Sequence, residues 1–129
     1  DLYPGDQCVN KIGVDGYDFW PTAVGEDAVA ARERVVPGRL LFYRDLAVAH
    51  GKDLAVLEWG VTDKESGGRD NPGYITYFRK FFAAEAEAGR TVYESYFDDR
   101  GDMKSSLRDG THPRAAAEYQ HQYRESVAA

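Results

Sequence analysis

Short extended runs alternate with longer segments of helical period along the whole chain, and this limits the folds open to it. Val9 to Asp15 reads as a strand, with Ile12 and Val14 on one face and Lys11, Gly13 and Asp15 on the other. Asp15-Gly16 and Trp20-Pro21 break it into an aromatic loop. Gly25 to Arg34 is a short helical or irregular stretch, and Arg39 to His50 has a helical pattern that Gly51 is placed to stop. Leu54 to Glu58 is the second strand and Thr62 to Asn71 a polar loop. A helix then opens at Pro72, with Asn71 or Asp70 as cap, and runs to about Ala88 before Gly89. Thr91 to Phe97 is the third strand, Asp98 to Thr111 a polar loop, and Pro113 opens a last helix to about Glu125.

Strand and helix in units of about forty residues specify an α/β fold of parallel strands joined by right-handed crossovers. The three conspicuous loops all follow the C-terminal ends of strands, where parallel α/β folds bind ligands. Function is therefore expected near Asp15 to Trp20, Glu58 to Arg69 and Tyr96 to His112.

The 129 residues fit one domain. A net charge of −6 without a basic stripe argues against nucleic acid and against a membrane surface. No apolar run approaches the roughly 18 residues that span a bilayer. Cys8 is the only cysteine, which excludes an internal disulfide and a thiolate zinc cluster. His50 and His121 lack ligand partners at metal spacing, so neither a metal nor a cofactor is called for. Asp1 in place of Met, with a strand signal almost at once, reads as a piece of something longer.

Leu57-Glu58-Trp59-Gly60 is the sharpest chemical signal. A carboxylate closing a buried strand, followed by an aromatic and a glycine, is how many retaining sugar-cleaving enzymes present a nucleophile. Simple alternation puts Leu54, Val56 and Glu58 on one face and Ala55, Leu57 and Trp59 on the other. Tyr17, Trp20, Trp59 and Tyr96 are expected to offer flat apolar faces to a sugar ring. The alternative is that such aromatics close the core beneath the loops. Asp15 is placed to bind a hydroxyl or orient a partner, or simply to form a turn before Gly16. Retaining chemistry needs a second carboxylic acid about 5–5.5 Å from the first. Glu94, inside the third strand, lies below the expected rim, and no other glutamate follows a strand convincingly. Asp109-Gly110-Thr111-His112 has the spacing of the base-bearing block of SGNH-type esterases, without a Gly-Asp-Ser block to supply a nucleophile. It reads as loop and helix start.

In order and spacing, the chain resembles the C-terminal part of clan-A glycoside hydrolases, closest to the family 26 mannanase-like group. The resemblance rests on Tyr3-Pro4-Gly5-Asp6 leading into Val9 to Asp18, and on Ala49-His50-Gly51-Lys52 before Leu57-Glu58-Trp59-Gly60. Tyr93-Glu94-Ser95-Tyr96-Phe97 and Pro113 to Ala117 complete it. It implies parallel β/α units forming roughly the last three of a (β/α)8 TIM barrel, strands six to eight. Glu58 matches the family's nucleophile, and Tyr17 and Trp20 match the region lining its substrate cleft. The implied activity is retaining hydrolysis of a β-linked polysaccharide such as a mannan or related hemicellulose, by a secreted, extracellular protein. The family's acid/base glutamate follows strand four and has no counterpart here. Three parallel strands alone leave two unpaired edges and an open face. A missing N-terminal half of the barrel or self-association is therefore expected. A non-catalytic carbohydrate-binding or assembly fragment is the alternative, and an esterase using Asp109 and His112 a more distant one.

Overall fold

The computed structural model describes residues 3–128, so Asp1 lies outside the described residues. Its elements are β1 (Lys11–Tyr17), α1 (Glu26–Val35), α2 (Leu40–Ala49), β2 (Asp53–Gly60), α3 (Pro72–Glu87), β3 (Val92–Tyr96) and α4 (Pro113–Ala128). The strands form one parallel sheet in the order β1-β2-β3. The fold is α/β, as the alternation requires. Gly51 and Gly89 end α2 and α3 with φ of 60° and 72°, values that a side chain would disfavour.

One face of the sheet carries the core. Ile12 and Val14 of β1 and Leu54, Val56 and Trp59 of β2 pack with Val29, Leu40, Ala47, Ile75, Phe78 and Phe82 from the helices. On the opposite face Leu57 and Tyr93 are half exposed or more. Lys11 extends over the Tyr93 ring, 4.8 Å from its centroid. The helices thus cover one side of a parallel sheet, an element that is normally buried on both.

Two local features depart from the sequence reading. The first strand does not break at Asp15-Gly16 but continues to Tyr17. Gly16 is there for packing rather than turning: a Cβ on it would lie 2.8 Å from Phe78 Cζ. Its carbonyl accepts a hydrogen bond from the Tyr74 hydroxyl at 2.7 Å. The second feature is a bulge. Val14 pairs with Val56, but Asp15 pairs with Glu58, leaving Leu57 as the extra residue. Simple alternation therefore fails beyond Val56. Glu58 sits beside Asp15 on the open face, and Trp59 joins Leu54 and Val56 among the helices.

The cap of α3 also differs in detail. Asn71 occupies the N-cap position without capping. Its amide donates to Asp18 Oδ2 and to the Ala23 carbonyl, at 2.7 and 2.9 Å. Asp70 instead caps α4, accepting from the Ala115 and Arg114 amides at 2.8 and 3.2 Å.

Candidate functional site

The C-terminal ends of β1 and β2 bring Asp15, Tyr17 and Glu58 together. The Tyr17 hydroxyl donates to Glu58 Oε2 at 2.8 Å. Burial, then the hydrogen bond to the Glu58 carboxylate, push the Tyr17 phenol well above its ordinary range. It therefore stays a protonated donor at any physiological pH. Tyr17 meets Phe97, just beyond β3, edge to face at 6.2 Å between centroids. Glu58 is only partly buried, at the end of the central strand on the helix-free face. Two clefts run along β1 and share Asp15 and Gly38 in their walls, with volumes of about 320 and 220 Å³.

Trp20 stands on the loop after β1 with 69% of its surface exposed. That loop is tied to the one after β2 through the Phe19–Gly67 bridge and the Trp20 amide, which donates to the Ser66 carbonyl at 3.3 Å. An exposed indole on a fixed backbone is what a stacking surface requires.

Trp59 and Tyr96 are not on this rim. Trp59 is fully buried and stacks on Phe78 with centroids 5.1 Å apart and planes 4° from parallel. Its indole donates to Glu94 Oε2 at 2.7 Å. The bulge is the cause, because it turns Trp59 to the helical side. Tyr96 packs edge-on against Trp59 and Tyr119 and donates its hydroxyl to the Ser105 carbonyl at 2.8 Å. It walls a separate cavity of about 310 Å³ beneath Leu107 and Tyr119. Both aromatics fill the core, the alternative that their residue type always allowed. Glu94 likewise faces the helices, accepting from Tyr123 and Trp59.

Asp109 and His112 do not form a base pair either. The Asp109 carboxylate accepts from the Thr111 amide and hydroxyl. His112 is buried, with Nε2 3.0 Å from Asp63 Oδ1 and Nδ1 2.8 Å from the Ser106 carbonyl. It ties the loops after β2 and β3 to the start of α4. Among the described residues no group of His, Cys, Asp and Glu is arranged to hold a metal ion. None of the helices there is long and apolar enough to cross a membrane.

Sequence reasoning missed the charged group behind the rim. Asp18, Arg32 and Glu33 are buried. Arg32 Nη1 lies 3.0 Å from Asp18 Oδ1, and Arg39 Nε donates to Glu33 Oε1 at 2.7 Å. Burial pushes the Asp18 carboxyl up, while Asn71 and Arg32 oppose the shift. A signal was present. On the face of α1 that carries Val29, the positions three and four further on are Arg32 and Glu33, so its inward stripe is partly ionic. No family model matches this chain, and no curated protein matches it at a significant level.

Proposed function

We propose that this chain is the arc of strands six to eight of a (β/α)8 barrel, in a retaining glycoside hydrolase of the family 26 mannanase-like kind. The observation that carries the reading is the Tyr17 hydroxyl on Glu58 Oε2, at the C-terminal end of the central parallel strand. A nucleophilic carboxylate must be held still. A donor on one oxygen does this and leaves the other oxygen to attack. The sheet supports the arc. Its strands are added in sequence order and its helices lie on one face, as in a barrel wall, whereas a doubly wound sheet carries helices on both. The helix-free face would then be the barrel interior, with Glu58 at its upper end.

In this mechanism Glu58 attacks the anomeric carbon of a β-linked sugar, and the glycosidic oxygen leaves with a proton from a general acid. The intermediate is a glycosyl ester of Glu58, which water then cleaves with the same acid group acting as base. The general acid is assigned to another part of the barrel, because Glu94 is engaged among the helices. Asp15 stands beside Glu58 to receive a sugar hydroxyl, and Trp20 offers the stacking face. A mannan or related hemicellulose is the proposed substrate, and a polymer too large to enter a cell implies an extracellular site of action.

The test is intact-mass analysis of the barrel protein carrying this sequence after incubation with activated 2-deoxy-2-fluoro glycosides. A glycosyl adduct mapped to Glu58, and lost in Glu58→Gln, is the expected result. Turnover of the polysaccharide by Glu58→Gln would refute the assignment. Sugar binding without any adduct would leave a carbohydrate-binding module, for which the same aromatic rim suffices.

A further inference from the structure

Arg39 precedes α2, and its guanidinium reaches back to the loop after β1. Nη2 donates to the Tyr17 carbonyl at 3.1 Å, and Nη1 to the carbonyls of Phe19 and Trp20 at 3.2 and 3.3 Å. Nε is anchored on Glu33 Oε1 at 2.7 Å, and the Glu33 side chain is 1% exposed. Arg32 continues the series by donating to the Pro21 carbonyl at 3.1 Å. Carbonyls of residues 17, 19, 20 and 21 thus converge on two neighbouring cations.

Oxygens turned toward one another repel unless a donor stands between them. Trp20 also has a φ of 44°, in the left-handed region that an L-residue adopts only when its surroundings compel it. The planar fork of an arginine supplies donors in fixed directions to several acceptors at once, which a lysine ammonium cannot do. The first of these acceptors belongs to Tyr17, whose own hydroxyl holds Glu58.

We infer that Arg39 is a positioning residue: by fixing the backbone of Tyr17 on the Glu33 anchor, it sets where the phenol meets the Glu58 carboxylate. Arg39 acts through Tyr17 and touches neither Glu58 nor a substrate. The inference about geometry stands independently of the proposed activity; only its kinetic consequence rests on Glu58 being the nucleophile.

The experiment follows the Tyr17 hydroxyl proton itself. The full chain is labelled with [13Cζ]-tyrosine, the Tyr17 signal is assigned by Tyr17→Phe, and hydroxyl exchange is read from the deuterium isotope shift on Cζ. Arg39→Lys keeps the charge and loses the fork. It is expected to speed Tyr17 hydroxyl exchange by about tenfold or more, with Tyr123, bonded to Glu94 on the far side of the sheet, unchanged. Glu33→Gln is the second variant, loosening the anchor while leaving Arg39 in place, and is expected to move the same signal by a smaller factor. It decides the question if Arg39→Lys does not fold. A lowered melting temperature with unaltered Tyr17 exchange in the folded variants means a merely structural role and overturns the inference. Fluoroglycoside labelling of the barrel protein then separates the two readings. Faster Tyr17 exchange with slower labelling in Arg39→Lys supports both. Faster exchange in a protein that no glycoside labels keeps the positioning role and removes the glycosidase.

Discussion

Replacing Gly16 with alanine should destabilise the protein through Phe78, and the size of the effect can be worked from the contacts. The added Cβ would lie 2.8 Å from Phe78 Cζ and 3.0 Å from Cε1, against an ordinary contact that begins at 3.4 Å. The ring cannot simply retreat. Trp59 stacks on it at 5.1 Å between centroids, and Tyr74 lies at 4.5 Å. Overpacking of this kind costs about 1–3 kcal/mol. Alanine also removes freedom from the unfolded chain, which returns about 0.4–1 kcal/mol. A net loss of about 1–2 kcal/mol is expected, lowering the melting temperature by roughly 3–10 °C. Urea unfolding of Gly16→Ala, Phe78→Leu and the double variant provides the assay. With the ring edge gone, the alanine should cost little, giving a coupling of about 1 kcal/mol or more. An equal penalty in both backgrounds would refute the packing argument. It would mean that Gly16 serves backbone freedom, as in a strand ending at Asp15.

Other expectations concern groups away from the rim. His112→Ala strips a partner from Asp63 and from the Ser106 carbonyl and should cost about 2 kcal/mol in chemical unfolding. Asp109→Ala should change stability little, and an equal loss from both would revive their pairing. Hydrogen bonding by Arg90, then by Arg44, holds the Glu85 carboxyl below its ordinary value of 4.5. A lowered folded value stabilises the protein above the ordinary range, and that contribution disappears as pH falls through it. Glu85→Gln should therefore be less stable than the parent at pH 7, with the gap narrowing in unfolding curves taken below pH 4. A gap that is constant with pH would exclude the charge as its source.

The periods of the sequence carried the architecture. Ile12 and Val14, Leu54 and Val56, and the Tyr74 to Phe82 stripe each fall on the buried side that their spacing predicts. Punctuation was legible where a residue type has one dominant use, as at Pro72, Gly51 and Gly89. It misled at Gly16, because close approach of a ring and a sharp turn call for the same residue. Glu58 was legible as a rim carboxylate, but simple alternation puts it and Trp59 each on the wrong face of β2. One bulged residue reverses the parity of a strand, and no local pattern marks Leu57 as the extra one. The Arg39 fork was less legible still. Its acceptors are backbone carbonyls, which every residue possesses, and so its targets leave no trace in the side-chain sequence.

The network around Asp18 bears on how the molecule breathes. Loops of this length usually open by themselves, at small cost and far below the free energy of global unfolding. Here the Asp18 amide donates to the Gly60 carbonyl and the Gly68 amide to the Asp18 carbonyl, at 3.0 and 2.8 Å. Arginines from both sides of the α1–α2 connection, Asn71 beside α3 and the end of β2 all grip the same few residues. None can release them without surrendering buried contacts of its own. The amides of Asp18 and Gly68 should accordingly exchange with deuterium as slowly as those of the central strand, by the same global route. On the proposed reading, a ligand at Glu58 would meet a rim already ordered by folding, and its contacts there would go to affinity rather than to organising the loop.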